Sequence, residues 1–261
     1  MRPLDIQSLR NRLGDWGRFN RVEYFASVGS TNALALERLY TNDSLGISFV
    51  TESQTEGRGR AGRSWLSPPG SGLLVSTILP SELPAKALSA VGFWAALAVR
   101  KAVESSTGVR LGLKWPNDLL LGDRKCVGIL TQGRSRAHSS RVVTGVGINA
   151  NRPEAVPDEI AASAAWLSET TGAPIDRTGL LATLLHAYEE SYDSLLSAPR
   201  KIIAEWSSDA ALVGRVLAVK AVDGSLLQRG TVSAIDHEGS LVLATEAGER
   251  VVRLGDVEVL S

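Results

Sequence analysis

Thr51-Glu52-Ser53-Gln54-Thr55-Glu56-Gly57-Arg58-Gly59-Arg60-Ala61-Gly62-Arg63-Ser64-Trp65 lies between two apolar runs with strand character, Ile47 to Val50 and Leu73 to Leu79. Gly57 to Trp65 holds three Gly, three Arg and one Trp. Glycines leave a backbone permissive and costly to order. At roughly 1–2 kcal/mol per residue, ordering about eight loop residues costs on the order of 10 kcal/mol. Such a loop is expected to stay mobile until a ligand offsets that cost. Arg58, Arg60 and Arg63 point to an anionic ligand, because guanidinium forks match phosphate and carboxylate geometry. Trp65 is placed to close over a flat or apolar group.

Gly57, Gly59 and Gly62 also fit the dinucleotide pattern G-x-G-x-x-G. That pattern requires a helix directly behind it and an acid about 20 residues on. Here a strand-like run follows, interrupted by Pro68-Pro69-Gly70, which argues against a doubly wound dinucleotide fold. A kinase glycine loop does lie between strands, but no H-R-D or D-F-G follows. An Arg/Gly loop that contacts nucleic-acid backbones stays open on these residues alone.

With Gln54 ahead of it, Gly57 to Trp65 resembles the biotin- and adenylate-binding loop of biotin protein ligases, which reads G-R-G-R-x-G-R-x-W after a glutamine. Three further stretches carry the same resemblance. The first is Ser30-Thr31-Asn32. It follows the alternating run Arg21 to Val28 and opens the helical run Ala33 to Leu39, so Ser30 or Thr31 reads as an N-cap. Free N–H groups and hydroxyls at a helix start also suit a neutral polar head. In the family, an S-T-N motif at this place meets the ureido ring of biotin. The second is Lys114-Trp115-Pro116-Asn117-Asp118 with Arg124-Lys125-Cys126-Val127-Gly128-Ile129-Leu130. Pro116 ends a strand, and the rest reads as a hairpin with the three-residue turn Gly122-Asp123-Arg124. A lone lysine beside a turn is ordinarily just solvated. The resemblance places Lys125 on the lysine that reaches the carboxylate and phosphate of the reacting pair. The third is Gly145-Val146-Gly147-Ile148-Asn149, at the end of the buried strand Arg141 to Ile148. Gly145 and Gly147 leave backbone bare, either for a ligand or for tight strand packing.

Size and composition bound the rest. A chain of 261 residues with 44% apolar residues divides naturally into one larger and one small domain. Lys+Arg and Asp+Glu are each 28, so net charge is zero, which argues against a protein that coats DNA. The single cysteine, Cys126, excludes an internal disulfide. Met1 to Trp16 has no signal-peptide pattern, and no apolar run approaches the roughly 18 residues of a membrane helix. A cytoplasmic location without membrane attachment is expected. His138, His186 and His237 show no metal-ligand spacing and read as ordinary surface or core positions.

The remaining stretches read as follows. Leu4 to Leu13 and Thr178 to Ser197 have helical spacing, and Ile202 to Ser207 extends or follows the latter. Pro84 to Ser105 reads as one long helix, with Gly108 just past its end. Asn151 to Ala165, rich in Pro and Ala, reads as a flap or short helix. Composition changes near Leu212. Short Val/Leu runs separated by turn signals at Asp223-Gly224, Glu238-Gly239, Ala247-Gly248 and Gly255-Asp256 then suggest a small barrel of about five strands.

The resemblance runs from Arg21 to the C-terminus. It implies an α+β fold: a mixed sheet flanked by helices, like a class II synthetase core, over 1–212, and a small SH3-like β-barrel over 213–261. It implies activation of biotin by ATP to biotinyl-5'-AMP, then transfer to a lysine of a biotin carboxyl carrier domain of a carboxylase. Lys125 would bridge biotin carboxylate and phosphate. Arg58 and Arg60 would neutralise phosphate oxygens and hold the adenylate, with Arg60 and Lys125 as the catalytic pair. Asn117 and Asn149 would face the nucleotide. Ser30, Thr31, Asn32, Gln54, Gly57, Gly59, Arg63, Trp65, Gly128 and Gly145 complete the expected binding set. Asp118 is left open between orienting Lys125 and assisting metal or amine. Mg2+ is expected with ATP, and its protein ligands are unknown. About 20 residues precede the first strand, too few for the winged-helix DNA-binding domain of bifunctional members, so DNA binding is not expected. Lipoate- or octanoate-protein ligation and a non-enzymatic nucleic-acid module are the alternatives.

Overall fold

The strand-like runs around the glycine loop assemble with the K-W-P-N-D and G-V-G-I-N segments into one sheet. The computed structural model describes residues 2–15, 17–41, 43–136, 139–221, 223–253 and 255–260; His138 lies outside them. The sheet path is β1 (Arg21–Phe25), β2 (Ile47–Thr51), β3 (Gly72–Ile78), β8 (Ser139–Asn149), β7 (Arg124–Arg136), β6 (Asp118–Leu121) and β5 (Gly112–Lys114). A two-residue β4 (Leu83–Pro84) pairs with β8. β1 and β2 run parallel, and the other pairs are antiparallel. The expected mixed sheet flanked by helices is what forms.

One face of this sheet is apolar by alternation. Leu73 and Val75 of β3, Val146 and Ile148 of β8, and Val127 and Ile129 of β7 enter the main core. Two long helices, α4 (Val91–Thr107) and α7 (Arg177–Ser197), cover them. Trp94 of α4 stacks on Tyr188 of α7 with ring centroids 4.5 Å apart, and Phe19 packs edge-on to Tyr192. Each fully buried large side chain here contributes about 1.5–3 kcal/mol of transfer free energy. The shorter α1 (Ile6–Leu13), capped by Asp5, packs on α7. On the other face, α2 (Thr31–Arg38) packs through Ala35 on Phe49, Ile78 and Val143.

Several boundaries differ from the sequence reading. Pro84 to Ser105 is not one helix: Pro84 pairs in β4, α3 (Ala85–Leu88) follows, and α4 starts afresh at Val91. Ala90 N–H closes a tight three-residue bond to Ala87 O (3.1 Å), which redirects the chain. Gly108 ends α4 with left-handed backbone as expected. The β6–β7 turn has two residues, Gly122 and Asp123, because Gly122 takes φ 60°. Between Asn151 and Ala165 there is a one-turn α5 (Asp158–Ala161). After α6 (Ser168–Thr171) and α7, a separate α8 (Pro199–Ala210) begins, since Pro199 cannot continue the preceding ladder.

The C-terminal segment forms five antiparallel strands, β9 (Val216–Lys220), β10 (Leu226–Ile235), β11 (Leu241–Thr245), β12 (Gly248–Val252) and β13 (Asp256–Val259). Their order is β12-β11-β10-β9-β13. The strand count matches the expected barrel, but β12 and β13 stand at opposite edges. Among the described residues no hydrogen-bonded pairing closes it. The chain crosses back to pair β13 with β9 rather than with β12.

This second sheet is pinned behind the first. Trp115 Nε1 donates to Gly239 O (2.9 Å), a fully buried bond. Gly239 has φ +86°, and a Cβ there would overlap the Phe93 ring. Phe93 in turn meets Trp206 of α8 edge-on at 4.9 Å. Among the described residues, no helix is long and apolar enough to cross a membrane. Gly239→Ala is expected to destabilise the protein by roughly 2–4 kcal/mol, combining backbone strain with overpacking. Thermal unfolding with tryptophan emission as readout measures this; an unchanged midpoint would contradict the pinning role.

Candidate active site

The register of the large sheet places glycines side by side on the face that α4 and α7 leave free. Leu74 of β3 pairs with Gly147 of β8, Gly147 with Gly128 of β7, and Gly128 with Asp118 of β6. Two residues along, Ser76 pairs with Gly145, and Gly145 with Leu130. With no Cβ at Gly128, Gly145 or Gly147, this face sinks into a trough. Neighbouring side chains lie in it. A Cβ on Gly147 would stand 2.5 Å from Trp65 Cε2, and one on Gly128 2.6 Å from Trp65 Cζ3. A Cβ on Gly145 would strike the Asn32 amide. The bare backbone is used for close approach by side chains, and the Trp65 indole lies where a flat ligand would lie.

One end of the trough is neutral and buried. Ser30 caps α2, its Oγ accepting from Ala33 N–H at 3.4 Å. Thr31 donates from both its N–H and its hydroxyl to Gln54 Oε1, at 2.8 and 3.0 Å. The Ser76 hydroxyl stands 2.7 Å from Thr31 Oγ1 and 2.6 Å from Asn32 Oδ1. Asn32 Nδ2 donates to Gln132 Oε1 at 2.9 Å. Ser30, Thr31, Asn32 and Ser76 are all buried. Such a web of donors and acceptors suits an uncharged polar ring.

The other end is cationic. Lys125 Nζ lies 2.7 Å from Asp118 Oδ1 and 5.4 Å from the Trp65 ring centroid. Asp118 Oδ1 is enclosed without an aligned hydrogen bond, so this contact is an ion pair by proximity. Arg60 Nη1 donates to Asn117 Oδ1 at 3.0 Å, and Asn117 Nδ2 is bound to Ile129 O. Arg63 Nη1 meets Asp256 Oδ2 of β13 at 2.6 Å. Arg58 is exposed at the rim, 3.7 Å from a likewise exposed Glu56. Four cations (Arg58, Arg60, Arg63, Lys125) and two carboxylates (Asp118, Asp256) line the cleft, an excess of two positive charges. In a chain of zero net charge this is a local concentration that favours an anion.

Burial draws the Arg60 guanidinium below its usual pKa, with nearby Asp256 and Asp118 opposing the shift. The Asp256 bond holds Arg63 above its usual value against burial. At Asp256 burial favours the neutral acid, but the Arg63 bond and the charges of Arg63, Lys114 and Lys125 outweigh it, so its pKa is depressed. A depressed carboxylate stabilises the fold above its ordinary pKa and loses that contribution as pH falls through the lower folded value. The Arg63–Asp256 pair therefore persists across neutral pH. Cys126, next to Lys125, is buried and its thiol pKa is pushed up to about 12, which leaves it no nucleophilic role.

The glycine loop closes on itself. Gly59 N–H bonds Arg63 O (2.7 Å), Trp65 N–H bonds Gly57 O (2.9 Å), and Arg60–Gly62 forms a 3₁₀ turn. Ala61 in that turn has φ 54° and ψ 37°, a left-handed conformation that costs about 1–2 kcal/mol with a Cβ. The base of the loop is firm. Thr55 and Glu56 N–H groups bond Val28 and Gly29 carbonyls (3.0 and 2.7 Å). Buried Arg177 holds Glu52 at 2.7 Å while also donating to Gly72 O.

Of the residues singled out from sequence, Ser30, Thr31, Asn32, Gln54, Arg58, Gly59, Arg60, Arg63, Trp65, Asn117, Asp118, Lys125, Gly128 and Gly145 all line this cleft. Two do not. Gly57 borders the adjoining groove between the loop and the second sheet. Asn149 is buried at the end of β8, on the same strand face as Gly145 and Gly147; its Nδ2 donates to Lys125 O at 3.4 Å and its own carbonyl accepts from Cys126 Sγ. That bond ties it to the strand that carries Lys125. Ser76, Gln132 and Asp256 were not anticipated. Ser76 carried a signal, a hydroxyl within the apolar run Leu73 to Leu79. Asp256 carried none, being almost 200 residues from the loop it meets. Among the described residues, no group of three His, Cys, Asp or Glu side chains could hold a metal ion.

A sequence model of the Biotin/lipoate A/B protein ligase family matches residues 24–149. The chain is 34% identical over 241 residues to the bifunctional ligase/repressor BirA of Bacillus subtilis, covering 90% of this chain and 73% of that protein. It is 31% identical over 261 residues to the biotin–[acetyl-CoA-carboxylase] ligase of Mycobacterium tuberculosis, covering 98% and 95%. Among solved structures, the biotin protein ligase of Aquifex aeolicus in complex with biotin and ATP superposes with a TM-score of 0.75 at 26% identity. That match covers 92% of this chain and 99% of that one.

Gly147→Ala is expected to push the Trp65 indole out of the trough, since the added methyl would stand 2.5 Å from the ring. Acrylamide should then quench a larger share of the tryptophan emission, and Trp65→Phe in the same background should abolish the increase. Unchanged quenching would contradict the close approach.

Proposed function

This chain belongs to the biotin protein ligases of the biotin/lipoate A/B protein ligase family, and we infer from that and from its cleft an ATP-dependent enzyme that activates biotin as biotinyl-5'-AMP. It then transfers the biotinyl group to a lysine of a biotin carboxyl carrier domain. The observation that carries this reading is the polarity of the trough. A buried neutral network (Thr31, Asn32, Gln54, Ser76) lies two strand residues along from a cationic end (Lys125, Arg60, Arg63). Two strand residues span about 7 Å. A molecule with an uncharged polar ring at one end and a carboxylate at the other matches that layout.

In the first half-reaction a biotin carboxylate oxygen attacks the α-phosphorus of ATP, and pyrophosphate leaves. Negative charge is shared between carboxylate, phosphate and leaving group, so fixed cations lower the barrier. Lys125 reaches both reacting groups from the floor of the trough. Asp118 keeps its ammonium aimed there until the substrates compete for it. Arg60, braced by Asn117, and Arg58 neutralise phosphate oxygens. Asn149 fixes the Lys125 backbone and lies on the strand face from which it can meet the nucleotide. In the second half-reaction the acceptor ε-amine attacks the mixed-anhydride carbonyl, forming the amide and expelling AMP. Magnesium enters with the nucleotide as part of the substrate.

Substrate entry requires the Trp65 indole to leave the trough, after which it can cover the bound intermediate. The Gly/Arg loop then excludes water from an anhydride that would hydrolyse. Residues 1–212 form the catalytic domain in this reading, and 213–261 a small second domain that completes the loop's surroundings. A cytoplasmic location, with access to ATP and carboxylase acceptors, fits this reading; among the described residues no helix could cross a membrane. Lipoate ligation is the nearest competing activity within the family, and the named relatives favour biotin.

Lys125→Ala is expected to reduce biotin-dependent isotopic pyrophosphate exchange by at least a hundredfold, the usual scale for removing one charge stabiliser. Near-normal exchange in this variant, or exchange supported by lipoate instead of biotin, would overturn the assignment. Arg60→Gly is expected to retain part of the exchange while releasing free biotinyl-AMP into solution. Chromatographic quantification showing no rise over the unmodified enzyme would remove Arg60 from the retention role.

A further inference from the structure

Arg63, at the cationic end of the trough, is tied to a carboxylate on the second sheet. We propose that Asp256 is a positioning residue that latches the Gly/Arg loop shut through Arg63 and so sets how long the activated intermediate stays enclosed. The proposal rests on the ligase reading for what is enclosed, and on geometry alone for the latch.

Three observations carry it. The bond is short and charge-assisted, Arg63 Nη1 to Asp256 Oδ2 at 2.6 Å, and both side chains are only partly exposed. It joins the loop to the second sheet. On one side is a loop with three glycines and a left-handed Ala61, whose backbone bonds between Gly57 and Trp65 are internal and whose other side-chain tie is Arg60 to Asn117. On the other side Asp256 is set into a strand pair. It pairs with Lys220 at the start of β13, and the preceding Gly255 lies so close to β9 that a Cβ would stand 2.6 Å from Val219 Cγ1. That sheet is itself pinned to the β5–β6 turn, where Trp115 donates to Gly239 O two residues before Asn117. Finally, Asp256 lines both the trough and the groove outside the loop, so the loop is the wall between them and Asp256 is where that wall is fastened. Opening the latch connects the two spaces and lets the loop swing with Trp65.

The test compares the unmodified protein with Asp256→Asn, which keeps shape and removes charge, and Asp256→Glu, which keeps charge. Without ligands, limited trypsin digestion followed by mass spectrometry reads cleavage after Arg58 and Arg60, neither of which touches Asp256. A half-exposed charge-assisted bond corresponds to roughly a three- to tenfold effect. Asp256→Asn should be cut at these sites faster by that factor, and Asp256→Glu should stay near the unmodified rate. With biotin and ATP, Asp256→Asn should release more free biotinyl-AMP per transfer event by a similar factor. Equal cleavage in all three proteins overturns the latch. Equal acceleration in Asp256→Asn and Asp256→Glu also overturns it, because that pattern marks general loosening. Absence of biotin-dependent exchange in the unmodified protein would overturn the ligase reading, while the trypsin comparison would still decide the latch.

Discussion

The missing side chains on one sheet face are the constraint on which the site depends. Gly128, Gly145 and Gly147 come from two strands and are brought abreast by the β7–β8 register. Any Cβ among them would collide with Trp65, Lys125 or Asn32. A one-residue slip would turn the glycines toward α4 and α7 and put Val146 and Ile129 in their place. The opposite face prevents the slip, because Val127, Ile129, Val146 and Ile148 must stay in the main core. The hydrophobic core thus sets the shape of a polar cleft it does not touch.

Given that trough, charge is distributed along it with little redundancy. The neutral end is satisfied internally by Thr31, Asn32, Gln54, Ser76 and Gln132, so a ligand there must exchange hydrogen bonds one for one. The cationic end is only partly compensated: four cations line it with two carboxylates, and Glu56 stands beside Arg58 outside the cleft. An anion gains there without displacing a complete network. This asymmetry gives direction to an elongated ligand, ring at one end and carboxylate at the other, and leaves Lys125 beside the reacting atoms.

The loop joins the two ends. Its base is anchored by Glu52 on buried Arg177 and by bonds to Val28 and Gly29, next to the S-T-N helix start. Its tip carries the strain of Ala61 and leans on the second sheet through Arg63. A segment fixed at its base and tethered at its tip by side chains alone, Arg63 to Asp256 and Arg60 to Asn117, can open and reclose without unfolding what surrounds it. That is what an enzyme holding a water-sensitive intermediate for a protein acceptor requires.

Sequence alone determined whatever depends on local chemistry. The strands around the loop, the Ser30 cap, the Gly108 stop and the cationic character of Arg58, Arg60 and Arg63 are properties of a few adjacent residues. The family pattern then gathered four separated motifs into one expected site. Tertiary structure decided which of those residues share a surface. It bonded Asn149 to the Lys125 strand, split the Pro84–Ser105 segment at Ala90, and set the C-terminal strands in an antiparallel sheet in which, among the described residues, no pairing joins β12 to β13. It also brought Ser76 and Asp256 into the cleft. Those outcomes follow from β-sheet register and from packing between distant segments, and neither is written in any short window of the chain.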